Sequence, residues 1–209
     1  MSDQIVFYTH PWSRGRMIRW MLEEVGQPYE TKVLEYDTDM KTPAYLAINP
    51  MGKVPTILHG DAVVTECAAI CAYLADAFPA AGLAPAPAQK ARAPYYRWLF
   101  FAAGPLEAAT SNKMMGFVVP PERKKSMGYG SIEDVLATLE SAVEGREYIA
   151  GDRFSAADVY VGSHIGWGMQ FGSLEKRPAF ERYASRLAER PAAKRAKALD
   201  DALKPMPGG

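Results

Sequence analysis

The chain has little cysteine, no excess of either charge and no long apolar run, and each shortage narrows what it can be. Cys67 and Cys71 are the two cysteines, four residues apart on one expected helix, and a structural zinc site wants four ligands. A chain of 209 residues can bury a core without disulfide staples, so Cys71 reads as a buried free thiol. No metal is expected. Lys plus Arg and Asp plus Glu both number 24, giving a formal net charge of +0 and nothing to steer the protein to nucleic acid or to a membrane. The short basic clusters Arg123-Lys124-Lys125 and Lys194-Arg195-Ala196-Lys197 read as solvated surface. No apolar stretch approaches the roughly 18 residues of a membrane span. The first four residues have neither the basic nor the apolar region of a secretion signal, so a cytoplasmic location is expected.

What is there is organised around Asn49 to Cys67. A Gly60-Asp61 dipeptide separates two β-branched runs, Val54 to Leu58 and Val63 to Thr65, which predicts a hairpin with a tight turn. Pro55 cannot donate to a ladder, so it belongs at a strand start or edge, and Val54 before it offers a free backbone N–H and C=O. Thr65-Glu66-Cys67 then opens an alanine-rich apolar helix, whose first N–H groups and dipole favour an anion. An extended backbone pair beside an anion site suits a small peptide with a free carboxylate.

Pro50, Gly52, Val54-Pro55 and Glu66, in this order, resemble the glutathione-binding half of the cytosolic glutathione transferases, in particular bacterial-type members with a serine in the first loop. The resemblance implies a cis proline at Pro55, pairing of the Val54 backbone with the cysteinyl part of glutathione, and capture of the γ-glutamyl end by Glu66 and its neighbour. That neighbour is Cys67, where the family usually has serine. A thiol hydrogen-bonds poorly, so only the backbone N–H of residue 67 is expected to bind carboxylate. Lys53 is the candidate for the glycyl carboxylate, against the plain alternative of an exposed lysine.

The remaining pattern fits that resemblance. Ile5 to Thr9 reads as a buried central strand, Ser13 as the N-cap of a helix ending at Gly26, and Tyr29 to Leu34 as a second strand. Arg19, Glu23 and Glu24 fall on the surface of that first helix. With a short helix through Ala44-Tyr45-Leu46, the hairpin, and a helix from Glu66 to about Phe78, the order is β-α-β-α-β-β-α. This is the order of a thioredoxin-like fold. Pro79 to Ala88 is a linker by composition, and everything after it reads as helix. The expected architecture is α/β plus all-α: a thioredoxin-like glutathione-binding domain over 1–80 and a helical-bundle domain over 88–209. Tyr95 to Phe101 is apolar almost all round, which suits an interdomain core, a dimer seam or a substrate pocket. Ile132, Val135, Leu136, Leu139 and Val143 form one helical stripe. Ser155-Ala156-Ala157-Asp158 is a capping-box pattern, so Asp158 is assigned to folding and not to chemistry. Pro205 to Gly209 reads as a frayed tail.

A thiol of pKa about 8.5 is only a few per cent thiolate at neutral pH, so glutathione needs a donor beside its sulfur. The loop His10-Pro11-Trp12-Ser13-Arg14 falls where thiol redox relatives carry Cys-Pro-x-Cys, and neither position is cysteine here. Ser13 is the leading catalytic candidate, against a plain N-cap. Tyr8 is the second, against a core tyrosine. Arg14 and Arg16 could add positive potential, against ordinary surface charge. Trp12, Met114 and Trp167 are candidates to line the electrophile pocket, against plain packing. The predicted function is attack of activated glutathione on a small apolar electrophile by a homodimeric detoxifying enzyme, with glutathione as co-substrate. Two alternatives stand beside it: glutathione-dependent reduction of disulfides or peroxides, or isomerisation, on the same site; and a non-catalytic binding module of the same fold.

Overall fold

The computed structural model describes residues 4–203, so the tail from Pro205 lies outside the described residues. The chain forms two compact units, one running to Leu83 and resuming at Arg190, the other spanning Ala84–Glu189.

The first unit holds a four-stranded sheet in the order β2-β1-β3-β4. Strand β1 (Ile5–Thr9) lies parallel to β2 (Tyr29–Val33) and antiparallel to β3 (Thr56–His59), which pairs antiparallel with β4 (Ala62–Thr65). The Gly60-Asp61 turn thus closes the expected hairpin. Alternation along β1 sends Ile5 and Phe7, both buried, to one face and Tyr8 to the other. Helix α1 (Gly15–Val25) buries Met17, Ile18, Met21, Leu22 and Val25, and it ends at Gly26, whose φ of 74° is the left-handed cap foreseen. Helix α3 (Cys67–Ala77) packs beside it. The four-residue helix α2 (Pro43–Leu46) starts at Thr42, whose hydroxyl accepts from the Tyr45 N–H, with Pro43 in the first turn.

The last helix, α9 (Pro191–Leu203), was grouped with the helical domain on sequence, and it packs against α1 inside the first unit. Complementary charges explain this. The Arg190 guanidinium meets both oxygens of Glu24 at 2.6 and 2.8 Å, and Arg195 meets Glu23 at 3.0 Å. At the other end Arg19 meets Asp200, and Arg16 meets Asp201, both at 2.7 Å. Arg19 is therefore not a surface residue: it is 2 % exposed, with Asp200 at 1 %. Burial raises the Asp200 carboxyl above its ordinary pKa, and the Arg19 charge works against that rise.

In the second unit α4 (Arg92–Phe101) and α5 (Glu107–Met114) are joined by a π-helical turn over Ala102–Leu106. Pro105 lies in this turn and has no N–H to give the ladder, which accounts for the widened turn at this point. Tyr95, Trp98 and Leu99 of α4 are buried, whereas Tyr96 and Phe100 stay exposed. The stripe on α6 (Ile132–Val143) is buried at Val135, Leu136, Leu139 and Val143. Helix α7 (Ala156–Phe171) is buried from Ala156 through Ile165, and α8 (Pro178–Ala188) covers it with Phe180, Tyr183 and Leu187. The capping box at Ser155 and Asp158 is formed as expected. Among the described residues no helix is long and apolar enough to cross a membrane.

Candidate active site

Two loops and one helix start build the site in the first unit. The loop after β1 is tied to itself. The His10 carbonyl accepts from the Ser13 N–H at 3.0 Å and from the Ser13 hydroxyl at 2.7 Å. The Ser13 oxygen in turn accepts from the Gly15 N–H at 2.9 Å. Helix α1 begins at Gly15 with Arg14 at its cap and no side-chain cap there, so Ser13, the expected N-cap, stands one residue ahead of the observed cap while its oxygen still serves the first helical N–H. Gly15 has no alternative: a Cβ there would lie 1.9 Å from the Thr9 hydroxyl. The His10 ring is buried, its Nδ1 accepting from the Trp12 N–H at 3.2 Å and its Nε2 lying 3.7 Å from Glu35. Arg16 donates to the Pro11 carbonyl at 2.5 Å and pairs with Asp201, so it serves as a strut for this loop.

The second loop precedes β3. Its Val54–Pro55 peptide bond is cis. The β1–β3 register ends at the pair Tyr8 and Thr56, so Val54 lies beyond the ladder with its backbone outside the sheet. Lys53 is exposed, and its carbonyl accepts from the Tyr45 hydroxyl at 2.7 Å and from the Asn49 amide at 2.8 Å. Those two side chains also meet the Thr56 hydroxyl, at 2.9 and 3.3 Å. Two donors therefore fix the carbonyl just before Val54, and the Thr56 hydroxyl ties them together. Burial raises the Tyr45 phenol above its ordinary pKa, with the Thr56 and Asn49 hydrogen bonds opposing, so it stays protonated as a donor.

Glu66 closes the hairpin with φ 65° and ψ 120°, a conformation that side-chain-bearing residues rarely adopt. Its strain sits at the first turn of α3, where the N–H groups are unused by the helix. Cys67 is the first residue of α3, and its sulfur lies 4.0 Å from the Arg14 carbonyl. The helix start and the Ser13 loop are thereby adjacent. Cys71 is fully buried, and burial first, then the Cys67 charge, pushes its thiol well above the ordinary value.

Tyr8 has the surroundings of a core residue. It is 9 % exposed, its ring lies 5.5 Å from that of Tyr45, and Met40, Val54 and Leu58 pack around it. Trp12 is 41 % exposed on the first loop. Met114 is exposed at the end of α5, and Trp167 on α7 is half-buried with its ring 6.2 Å from Phe171. Among the described residues no group of three His, Cys, Asp or Glu could hold a metal ion.

Sequence reasoning missed Tyr36 and the part Tyr45 plays in this loop, and it read Arg16 as positive potential or surface charge where the structure makes it a strut. The Tyr36 ring packs 4.6 Å from His10, and its hydroxyl donates to the Trp12 carbonyl at 3.3 Å. Its only signal in the sequence was an aromatic residue inside a charged stretch.

A thioredoxin-like unit with a cis proline ahead of its third strand, followed by a helical unit, is the architecture that the resemblance to the glutathione transferases implies. Comparison with known proteins agrees: residues 11–77 match the glutathione S-transferase N-terminal domain, and residues 106–191 its C-terminal domain. Glutathione S-transferase 1 of Schizosaccharomyces pombe is 30% identical over 86% of this chain and 91% of its own. Glutathione S-transferase GST-4.5 of Xanthomonas campestris is 28% identical over 79% and 83%. Among solved structures, a sphingomonad glutathione S-transferase complexed with glutathione is 30% identical, covering 93% of this chain and 98% of that one with a TM-score of 0.76. The glutathione transferase of Methylococcus capsulatus gives 28%, 95% and 99%, with a TM-score of 0.77. The chain belongs to the glutathione S-transferase family, and it is a glutathione transferase. Neither a reductase or isomerase nor a non-catalytic module is favoured over that activity.

Proposed function

We propose that glutathione lies along the second loop with its sulfur at the first, and that its thiolate attacks a small apolar electrophile. The Val54 backbone pairs with the cysteinyl part, the α3 start at Glu66 and Cys67 holds the γ-glutamyl end, and Lys53 meets the glycyl carboxylate. Ser13 then faces the sulfur, with Tyr8 set aside because its ring is packed among Tyr45, Met40 and Leu58. The observation that carries this reading is the approach of Cys67 to the Arg14 carbonyl at 4.0 Å, which brings the anion-binding helix start to the Ser13 loop. Replacing Ser13 by alanine is expected to raise the pKa of the bound thiol by up to about one unit, the worth of one ordinary hydrogen bond. An ultraviolet difference titration of bound glutathione measures it. Absence of thiolate in the wild type would overturn the binding reading.

For the electrophile we propose apolar contacts from Met114 and Trp167 of the second unit, beside the exposed Met115 and Phe117. Met114→Ala is expected to raise KM for an aromatic electrophile about three- to tenfold, the worth of losing about 1 kcal/mol of apolar contact, while KM for glutathione holds. Steady-state kinetics with both substrates varied separates the two. The same reading takes the protein to be a cytoplasmic, detoxifying homodimer. The exposed Phe100 and Tyr96 on α4 support the dimer, because large aromatics left in water favour association.

A further inference from the structure

We propose that Tyr36 is a catalytic residue whose phenol donates a hydrogen bond to the glutathione sulfur, taking the larger share of the stabilisation sought from Ser13. The inference rests on the binding reading above and adds to it the identity of the donor.

The argument is one of proton supply. A serine hydroxyl has one proton to give. In Ser13 that proton goes to the His10 carbonyl at 2.7 Å, and the oxygen already accepts from the Gly15 N–H at 2.9 Å. Both contacts are buried, with Ser13 8 % exposed and His10 2 %. Turning the hydroxyl toward a thiolate leaves the His10 carbonyl with the Ser13 N–H as its remaining donor, and loss of the shorter of the two bonds opposes the turn. Tyr36 is under no such restraint. Its hydroxyl makes a long 3.3 Å bond to the Trp12 carbonyl, and Trp12 and Tyr36 are both exposed, so water can replace that bond. The Trp12 carbonyl belongs to the residue just before Ser13, so a sulfur seated against Ser13 lies close to the phenol.

The ring is held for this purpose. It packs 4.6 Å from the His10 ring, and the chain turns sharply after it, the Thr38 N–H donating to the Tyr36 carbonyl at 2.7 Å around Asp37 at φ 61°. The groups facing the phenol are Ser13, the Arg14 guanidinium and the His10 ring. Burial raises the Tyr36 pKa, while the nearby Ser13 hydroxyl and the Arg14 charge oppose, so the phenol keeps its proton at neutral pH and remains a donor. A phenol, more acidic than an alcohol, is also the stronger donor to an anion.

The test is the bound-thiol titration repeated with Tyr36→Phe, which leaves the ring and removes the proton. The expected result is a thiol pKa higher by about one to two units and larger than the shift in Ser13→Ala, as loss of a hydrogen bond to a charged group requires. Activity at neutral pH then falls about ten- to a hundredfold with KM for glutathione within about twofold, and it recovers above the new pKa. A purely structural role for Tyr36 gives no recovery at high pH. Tyr36→Leu, which removes ring and phenol together, separates packing from donation: a shift with leucine and none with phenylalanine overturns the proposal. A wild-type thiolate left unmoved by Tyr36→Phe overturns it alone. If the wild type forms no thiolate, the binding reading falls and this inference with it.

Discussion

Asp158→Asn is expected to lower stability by about 2 to 4 kcal/mol, although the residue takes no part in the chemistry. Asp158 is 0 % exposed. One carboxylate oxygen accepts from the Ile149 N–H at 2.8 Å and the Tyr183 hydroxyl at 2.7 Å, and the other from the Ser155 N–H at 2.9 Å and the Ser155 hydroxyl at 3.0 Å. The carboxylate thus joins the loop before α7, the α7 cap and the middle of α8. Asparagine keeps one accepting oxygen and turns its amide donors on the Ser155 N–H, leaving a buried donor facing a donor. Alanine, which abandons every one of these donors, should cost more, on the order of 3 to 5 kcal/mol. Urea unfolding checks this as a lower midpoint at unchanged slope.

The pH dependence has a definite sign. Burial, the largest cause, raises the Asp158 carboxyl above its ordinary 3.8, and hydrogen bonds from Tyr183, Ile149 and Ser155 pull the other way. A raised folded-state pKa contributes stability that is fully present below the unfolded value and is lost as the pH rises through the folded one. Asparagine does not titrate. The deficit of the variant is therefore largest near and below pH 3.8 and shrinks as the pH rises through the folded-state pKa. A deficit that grows with pH across this window contradicts the assignment.

Gly52→Ala is expected to cut glutathione affinity at least about tenfold and to cost about 2 to 4 kcal/mol of stability. Gly52 has φ 57°, where a side chain is strained. Its added Cβ would lie 2.7 Å from the Met40 carbonyl oxygen and 2.9 Å from both a Leu46 methyl and the Lys41 ammonium. The lysine can move, but a backbone carbonyl cannot yield without shifting the chain around Met40, which is 2 % exposed. Relief must come from the loop itself, and that loop carries Lys53 and Val54. The Gly52 carbonyl also accepts from Lys41 at 3.0 Å, so the same shift loosens a second tether. Calorimetric titration with glutathione, paired with a melting curve, reads both effects. Retention of wild-type affinity in a destabilised variant removes Val54 from the binding site.

Much of the fold was legible because its signals are local. The Gly60-Asp61 turn, the Gly26 stop and the Ser155–Asp158 cap each depend on groups within four residues of one another, and all three formed. The apolar, β-rich run Ile5 to Thr9 marked a buried central strand because a strand paired on both sides is covered on its faces. The proposed binding half of the site could be read for the same reason, since Val54, Pro55, Glu66 and Cys67 lie in one stretch. The sulfur end was less so. Ser13 stood out as a hydroxyl at a helix start, but what its proton does depends on the His10 carbonyl, and Tyr36 enters only because β2 runs parallel to β1 and returns its far end to that loop.

By itself the sequence determined the thioredoxin-like order of elements, the hairpin and the helical second half, all through turn chemistry, caps and apolar period. Tertiary structure alone decided that Arg19 is buried, that α9 belongs to the first unit, that Arg16 braces the loop after β1 and that Tyr45 holds the Lys53 carbonyl. The Arg19–Asp200 contact joins residues 181 positions apart. A charge reads as surface until its partner is known, and no period or spacing announces a partner that only folding brings near.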